Sequence, residues 1–297
     1  MILVTGASGA IGSRLVERLV EEGERPYPAG RRPGPLRERF PDLEPRELDA
    51  LRPETLPSAL EGIRTLYYFI HSMEPGAAGF DERDRAAALN VARSARTAGV
   101  DRVIYLGGLG DEEAALSQHL SSRHETGRIL AEEGPPLVEF RAAMVVGSQS
   151  ASFRMLSDLV HRLPAMVVPR WVETRSQPIA IADVVSYLSA ARTVALHGQR
   201  TVFEIGGPEV VTYRQMLETF ARFRGKRRVM VGVPLLTPRL SSLWCGLTTS
   251  VPRSVARPLI MGMTHEMVVR EDSARSAFPD IHPMTFEEAL RRAMDGE

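Results

Sequence analysis

The first twelve residues constrain this chain more than any others. Met1 to Val4 is a short apolar run that passes directly into Thr5-Gly6-Ala7-Ser8-Gly9-Ala10-Ile11-Gly12. Beyond the turn, Ile11, Leu15 and Leu19, with Val16 and Val20, recur at helical spacing. The order is strand, glycine turn, helix. A dinucleotide pyrophosphate needs backbone N–H groups at a helix amino terminus, and side chains in the turn would block its approach. Gly6 allows the tight turn, Gly9 opens space for the phosphates, and Gly12 lets the helix pack closely on the strand. Thr5, Gly6, Ser8, Gly9, Ala10, Ile11 and Gly12 are therefore the candidate cofactor-binding residues. The alternative is a glycine-rich turn with no ligand.

Arg25 to Ala29 is read as the second strand by its place in the order, although Pro26 and Pro28 make it a poor one. Gly30, Arg31 and Arg32 follow, with no carboxylate where an NAD site holds the ribose 2′-hydroxyl. Arginine at this point can pair with a 2′-phosphate, so NADP(H) is expected over NAD(H). The competing reading puts both arginines on a solvated loop. Asp49 follows a third strand at Glu44 to Leu48, and is placed either for the adenine edge or as an exposed loop residue.

The alternation continues with a helix at Glu54 to Leu60, a buried strand at Thr65 to Ile70, a helix at Asp81 to Ala98 and a strand at Arg102 to Leu106. A helix from about Ala115 to Glu133 then leads to a strand at Leu137 to Arg141. Strands alternating with helices imply a parallel sheet covered on both faces. The expected fold is α/β, a Rossmann-type doubly wound parallel sheet with a smaller C-terminal substrate-binding region. Residues 1–150 form the cofactor domain and about 176–205 return to it, while 151–297 are mostly helical and set substrate specificity. Helices are expected at Ser152 to Leu163, Ile181 to Ala191 and Thr212 to Arg224, with short strands at Val202 to Ile205 and Arg228 to Val231.

The glycine turn, Leu48-Asp49, Asn90 and Val103-Ile104-Tyr105-Leu106-Gly107-Gly108 together resemble the atypical short-chain dehydrogenase/reductases. Within them the chain is most similar to the NmrA-like and nucleoside-diphosphate-sugar-epimerase-like NAD(P)-binding proteins. The resemblance covers the cofactor domain and implies an oxidoreductase. Active members of that superfamily usually pair a tyrosine acid/base with a lysine four residues later, after a serine beyond the fifth strand. Here Lys226 is the only lysine and has Arg222 four residues before it. His119 and Arg123 stand at the aligned positions, with Gly107 or Gly108 in place of the serine.

His119 and Arg123 share one helix face, and a histidine there can protonate a developing alkoxide while the arginine holds the ribose. The alternative is a polar surface helix carrying His119, Arg123, His124 and Glu125. Tyr105, at the carboxyl end of the fifth strand, is a second candidate donor or a packing residue. The candidate catalytic set is thus His119, Tyr105 and Arg123, with Arg123 also a cofactor contact. Tyr68 and His71 end the fourth strand in the same crevice, and His71 can reach substrate. Arg141 to Gly147 should pass the nicotinamide, which puts Met144 against substrate. The family's usual proline there is replaced by Ala142 and Ala143.

The balance of 37 basic and 37 acidic side chains gives no pull toward nucleic acid or an anionic membrane. A single cysteine, Cys245, forms no internal disulfide and no thiolate cluster, and no metal site is expected. The Gly-x-Ser-x-Gly hydrolase turn is missing. Val229 to Leu247 is apolar but broken by Pro234, Pro238 and Arg239, so it should not span a bilayer. The first residues read as a strand, so the protein is expected in the cytoplasm. Leu235, Leu236, Leu240, Trp244, Leu259, Ile260 and Met263 would cover an apolar small-molecule substrate, with Trp244 touching it. The leading expectation is an NADPH-dependent oxidoreductase acting on a carbonyl, enone or related group. The rival is a non-catalytic NADP(H)-binding redox sensor or assembly factor, with a homodimer or a regulatory protein as partner. A sugar-nucleotide epimerase would need the missing tyrosine and lysine.

Overall fold

The computed structural model describes residues 1–71, 80–110, 117–163, 165–233 and 248–296. The expected start of a helix at Ala115, and Leu235, Leu236, Leu240, Trp244 and Cys245, lie outside them. In the first half of the chain the elements run β1 (Ile2–Thr5), α1 (Ala10–Glu21), β2 (Tyr27–Gly30), α2 (Pro33–Arg39), β3 (Arg46–Glu47), α3 (Leu56–Leu60) and β4 (Thr65–Tyr68). They continue with α4 (Phe80–Thr97), β5 (Arg102–Gly108), α5 (Gln118–Glu133) and β6 (Leu137–Ala142).

These strands form a parallel sheet in the order β11-β6-β5-β4-β1-β2-β3, where β11 is Arg200–Ile205. The chain winds one way from β1 to β2 and β3 and the other way from β4 to β5 and β6. The reversal therefore falls between β1 and β4, the place where ligands of doubly wound sheets bind. Successive residues of a strand face opposite sides, and the core divides accordingly. Val4, Tyr67, Ile104 and Phe140 pack with Leu15 and Leu19 of α1 and with Val184 and Leu188 of α7 (Ile181–Ala190). Leu3, Leu66, Tyr68, Val103 and Tyr105 pack with Val91 and Ala95 of α4 and Leu130 of α5.

The later chain contributes α7 and β11 to this sheet, β11 pairing in register with β6 from Arg200–Leu137 to Ile205–Ala142. The remainder builds a second core from α6 (Ala151–Arg162), α8 (Tyr213–Phe223), α9 (Arg253–Gly262) and α10 (Phe286–Asp295). Here Phe153, Leu156, Met216, Phe220, Ile260 and Leu290 are buried together. Two of these helices start with reciprocal caps, Thr212 with Gln215 and Thr285 with Glu288. Three small strand pairs join the region: β7 (Val145–Val146) with β10 (Ile179–Ala180), β8 (Ala165–Val168) with β13 (Val229–Gly232), and β9 (Arg175–Ser176) with β12 (Val211–Thr212). No helix among the described residues is long and apolar enough to cross a membrane.

Candidate active site

A crevice of about 440 Å³ opens at the carboxyl edge of β1, β2 and β4. Thr5, Gly6, Ser8 and Gly9 form its floor, and Ala29, Gly30 and Arg31 one wall. Leu48, Asp49, Ala50 and Leu51 continue that wall, with Phe69, Ile70, His71, Arg83 and Ala87 opposite. The turn is built as its sequence requires. Gly6 has φ +62°, and a Cβ there would lie 2.7 Å from the Phe69 carbonyl oxygen. A Cβ on Gly12 would lie 2.4 Å from the Gly6 carbonyl oxygen, so that glycine serves helix–turn packing.

Gly9 differs, because a Cβ there would meet only the Gly6 carbonyl oxygen, at 3.2 Å, and otherwise stand in the crevice. As N-cap of α1 it provides no side-chain hydrogen bond, and the first turn of α1 carries no acid. The first N–H groups of the helix are thus left to an anion. Ala10 and Ile11 supply that first turn rather than the crevice wall, and Ile11 packs on the core behind it. Thr5 is structural as well as basal: its hydroxyl donates to the Tyr67 carbonyl at 2.9 Å and accepts from the Phe69 N–H at 3.0 Å, fastening β1 to β4.

The two arginines after β2 separate. Arg31 lines the crevice, whereas Arg32 is the exposed N-cap of α2 and is not among the lining residues. Asp49 also lines the crevice, and its Oδ1 accepts from the Leu51 N–H at 3.1 Å. This turn is held from below by Asn90 of α4, which donates to the Ala50 carbonyl at 2.9 Å.

The helix carrying His119 and Arg123 is not a polar surface helix. His124 is buried with Nε2 2.9 Å from the Gly108 carbonyl oxygen, and Gly127 packs on the buried Glu139 carboxylate. Arg123 donates to the Leu106 carbonyl and lies 5.3 Å from the Tyr105 ring centroid. Tyr105 is corrected to a packing residue. It is 1% exposed, its hydroxyl donates to the Arg123 carbonyl at 3.0 Å, and burial pushes its pKa up to about 12. Tyr68 is likewise sealed in the core.

Met144, expected against substrate, is corrected in the same way. It is 6% exposed within the C-terminal core, and its carbonyl accepts from the Ile179 N–H because the chain turns there to pair β7 with β10. Arg141 folds back on Glu139, with Nε donating to Oε1 at 2.8 Å. Ile260 and Met263 are buried in that core too, and Leu259 packs against it.

His71 and His119 come together, with ring centroids 5.0 Å apart. His71 Nδ1 lies 2.8 Å from Oδ2 of Asp84, a residue 3% exposed. A carboxylate only accepts, so Nδ1 carries the proton in the neutral ring. Nε2 of His71 has no hydrogen-bond partner among the described residues. Burial lowers the pKa of both rings. For His119 the neighbouring His71 and Arg123 add to that effect and bring it to about 3. For His71 the hydrogen bond to Asp84 opposes burial, and the net shift is still downward.

Asp84 and Arg83 escaped the sequence reading. The signal for Asp84 was its place on the apolar stripe of α4 with Ala88, Val91 and Ala95, all buried. A carboxylate in that stripe requires a partner. Among the described residues no group of three metal-ligating side chains exists.

The sheet order, the switch point and the open glycine turn define a Rossmann-type dinucleotide-binding protein. Residues 6–134 match a family of protein domains described as NAD(P)H-binding. No curated protein sequence matches this chain. Among solved structures, an NADPH-dependent quinone oxidoreductase from Escherichia coli complexed with NADPH is 20% identical with TM-score 0.78, over 99% of this chain and 100% of that one. The triphenylmethane reductase of Citrobacter sp. complexed with NADP(H) is 17% identical with TM-score 0.77, over the same shares. A nucleoside-diphosphate-sugar epimerase from Staphylococcus aureus is 14% identical with TM-score 0.77, over 98% of this chain and 99% of that one. At these identities the likeness is one of fold. The domain match and the structures agree with the resemblance to atypical short-chain dehydrogenase/reductases read from the glycine turn and the fifth strand.

Proposed function

We propose that this protein is an NADPH-dependent reductase of an apolar small molecule carrying a carbonyl, enone or quinone group. The observation that carries the reading is one continuous crevice running from Arg31, across the uncapped amino terminus of α1, to His71. Such a crevice fits the extended shape of a dinucleotide: Arg31 faces the 2′-phosphate, the α1 N–H groups the pyrophosphate, and His71 the reacting end. The bound nicotinamide would supply a hydride to the acceptor. The quinone and dye reductases of the same fold, which bind NADPH or NADP(H), support this choice of cofactor and acceptor. His119 and Arg123 form the wall behind His71, where Arg123 ties α5 to the end of β5 and so holds the shape of this end of the site.

Titration of the protein with NADPH and NADH by nicotinamide fluorescence tests the reading, followed by a screen of quinones, enones and ketones. We expect Arg31→Ala to weaken NADPH binding by about 5- to 20-fold, the loss of one exposed charge-assisted contact, and to change NADH binding by less than about twofold. Equal loss for both nucleotides would remove the assignment of Arg31 to the 2′-phosphate. Tight NADPH binding with no turnover on any acceptor would favour the redox-sensor reading, for which the missing tyrosine–lysine pair speaks.

A further inference from the structure

Of the two histidines that meet beside the crevice, we infer that His71 is the proton donor of the reaction and Asp84 its positioning residue, an assignment that rests on the reductase reading above. The sequence alone favours His119, because it occupies the aligned place of the family's acid. Geometry reverses that preference. His71 lines the crevice, while His119 is not among the lining residues and meets the His71 ring at a centroid distance of 5.0 Å. Nε2 of His71 is buried and without a partner among the described residues, whereas its Nδ1 is engaged by Asp84 at 2.8 Å.

A buried carboxylate on one ring nitrogen and an unsatisfied second nitrogen at the site is the arrangement that fixes a histidine for proton transfer. Among the described residues, the charged and titratable groups around His71 are Asp81, Arg83 and Asp84 from α4 and His119 and Arg123 from α5. Asp84 and Asp81 favour the imidazolium, and Arg123 disfavours it. His119 has no carboxylate partner of its own in the described contacts, and burial keeps it neutral above about pH 3. Its imidazolium is disfavoured at neutral pH.

In the step itself the acceptor carbon would take a hydride with its electron pair from bound NADPH, which would be left as NADP⁺, and the carbonyl π pair moves to oxygen. That oxygen forms a bond to the proton on Nε2 of the His71 imidazolium. The Nε2–H bond breaks with its pair left on nitrogen, so the ring ends neutral with Nδ1–H still donating to Asp84. Solvent restores the proton. Asp84 thereby keeps the ring in one orientation and offsets part of the burial that would otherwise empty Nε2 of its proton.

The test uses the full chain as wild type, His71→Asn, Asp84→Asn and Asp84→Glu. Imidazole ¹⁵N NMR of the nucleotide-free protein at neutral pH should show His71 as the Nδ1–H tautomer. In Asp84→Asn the amide can itself donate to Nδ1, and the population should move toward Nε2–H. Turnover is followed with NADPH and naphthoquinone, cyclohexenone and acetophenone.

His71→Asn should lower kcat by about 10²- to 10⁴-fold, the usual contribution of a general acid, with NADPH affinity within about threefold of wild type. The wild-type kcat/KM for reduction should fall as pH rises through a value below the ordinary 6.5 of histidine. In Asp84→Asn this limb should move to still lower pH, and Asp84→Glu should restore it. A purely structural role for Asp84 would leave both the tautomer and the limb in place. Turnover by His71→Asn at the wild-type rate with an unshifted limb, or a wild-type His71 in the Nε2–H form, overturns this assignment and leaves the reductase reading standing. NADPH binding without turnover of any acceptor by wild type overturns the reductase reading, and the donor role with it.

Discussion

Gly127 shows how a single hydrogen in place of a methyl group decides the packing of this site. It lies within α5, where alanine would ordinarily be better by about 1 kcal/mol. A Cβ there would lie 2.6 Å from Oε2 of Glu139, and that carboxylate has no room to retreat. Oε1 accepts from Arg141 at 2.8 Å and Oε2 from Arg200 Nε at 2.9 Å, and Glu139 is fully buried. Gly127→Ala should therefore destabilise the protein by about 1–3 kcal/mol, the usual cost of overpacking, instead of stabilising it. Gly34→Ala is the contrast: it sits in α2 with no positive φ and, its chain neighbours aside, nothing within 4 Å of an added methyl, while Pro35 after it works against a Cβ in helical conformation, so it should change stability by less than about 0.5 kcal/mol. Thermal melting of both variants checks the pair, and a rise in melting temperature for Gly127→Ala would mean that Glu139 can move.

At the scale of elements, α1 and α7 cover one face of the sheet and are clasped at their ends. Glu22, the C-cap of α1, accepts from the Ser189 hydroxyl of α7 and from Arg192 just beyond it, both at 2.6 Å, and from Arg18 at 2.7 Å. Burial by itself would raise the Glu22 pKa, but the hydrogen bonds from Ser189 and Arg18 and the charge of Arg192 outweigh it, and the net shift is downward. A carboxylate with a depressed folded pKa contributes stability above its unfolded value of 4.5. That contribution disappears as pH falls through the folded pKa. Glu22→Gln should thus cost roughly 1 kcal/mol at pH 7, a figure kept small because the site is partly solvated, and the gap to wild type should close well below pH 4.5. Urea unfolding across that range measures it, and a gap independent of pH would assign the loss to packing. The elements themselves were legible to different degrees. The strands β4, β5 and β6 announced themselves as apolar, β-rich runs, and α1 by its stripe. The helix α2 was hidden because Arg32-Pro33-Gly34-Pro35 reads as a loop, although proline is at home in a first helical turn. Likewise α9 carries Pro258 inside it, and its packing on the C-terminal core overrides that penalty.

For the whole molecule, the order of elements along the chain fixed which edge of the sheet carries the crevice, since alternating strands and helices leave few ways to wind a parallel sheet. The glycine turn and the place of Arg31 at the crevice were legible because each depends on a few consecutive residues. The cluster of His71, Asp84 and His119 was not, because it joins the loop after β4, the first turns of α4 and the start of α5, and no spacing rule relates residues 71, 84 and 119. Its two half-buried histidines also make the molecule's stability depend on pH as a unit. A histidine whose folded pKa lies below its unfolded 6.5 binds protons more readily when the chain is unfolded. Stability is then full above about pH 6.5 and falls as pH drops toward the folded value, which for His119 is about 3. By pH 4.5 the linkage from His119 is on the order of 2 kcal/mol after allowance for its partial exposure, and His71 acts in the same direction. His119→Gln removes one of these groups without adding charge. It should be no more stable than wild type at pH 7.5, yet lose on the order of 2 kcal/mol less on going to pH 4.5, with all other titrating groups cancelling in the difference. Urea midpoints of the two proteins at both pH values decide the matter. Parallel losses would show that His119 titrates alike in the folded and unfolded chain, and the choice of His71 would then rest on its place in the crevice and its bond to Asp84 alone.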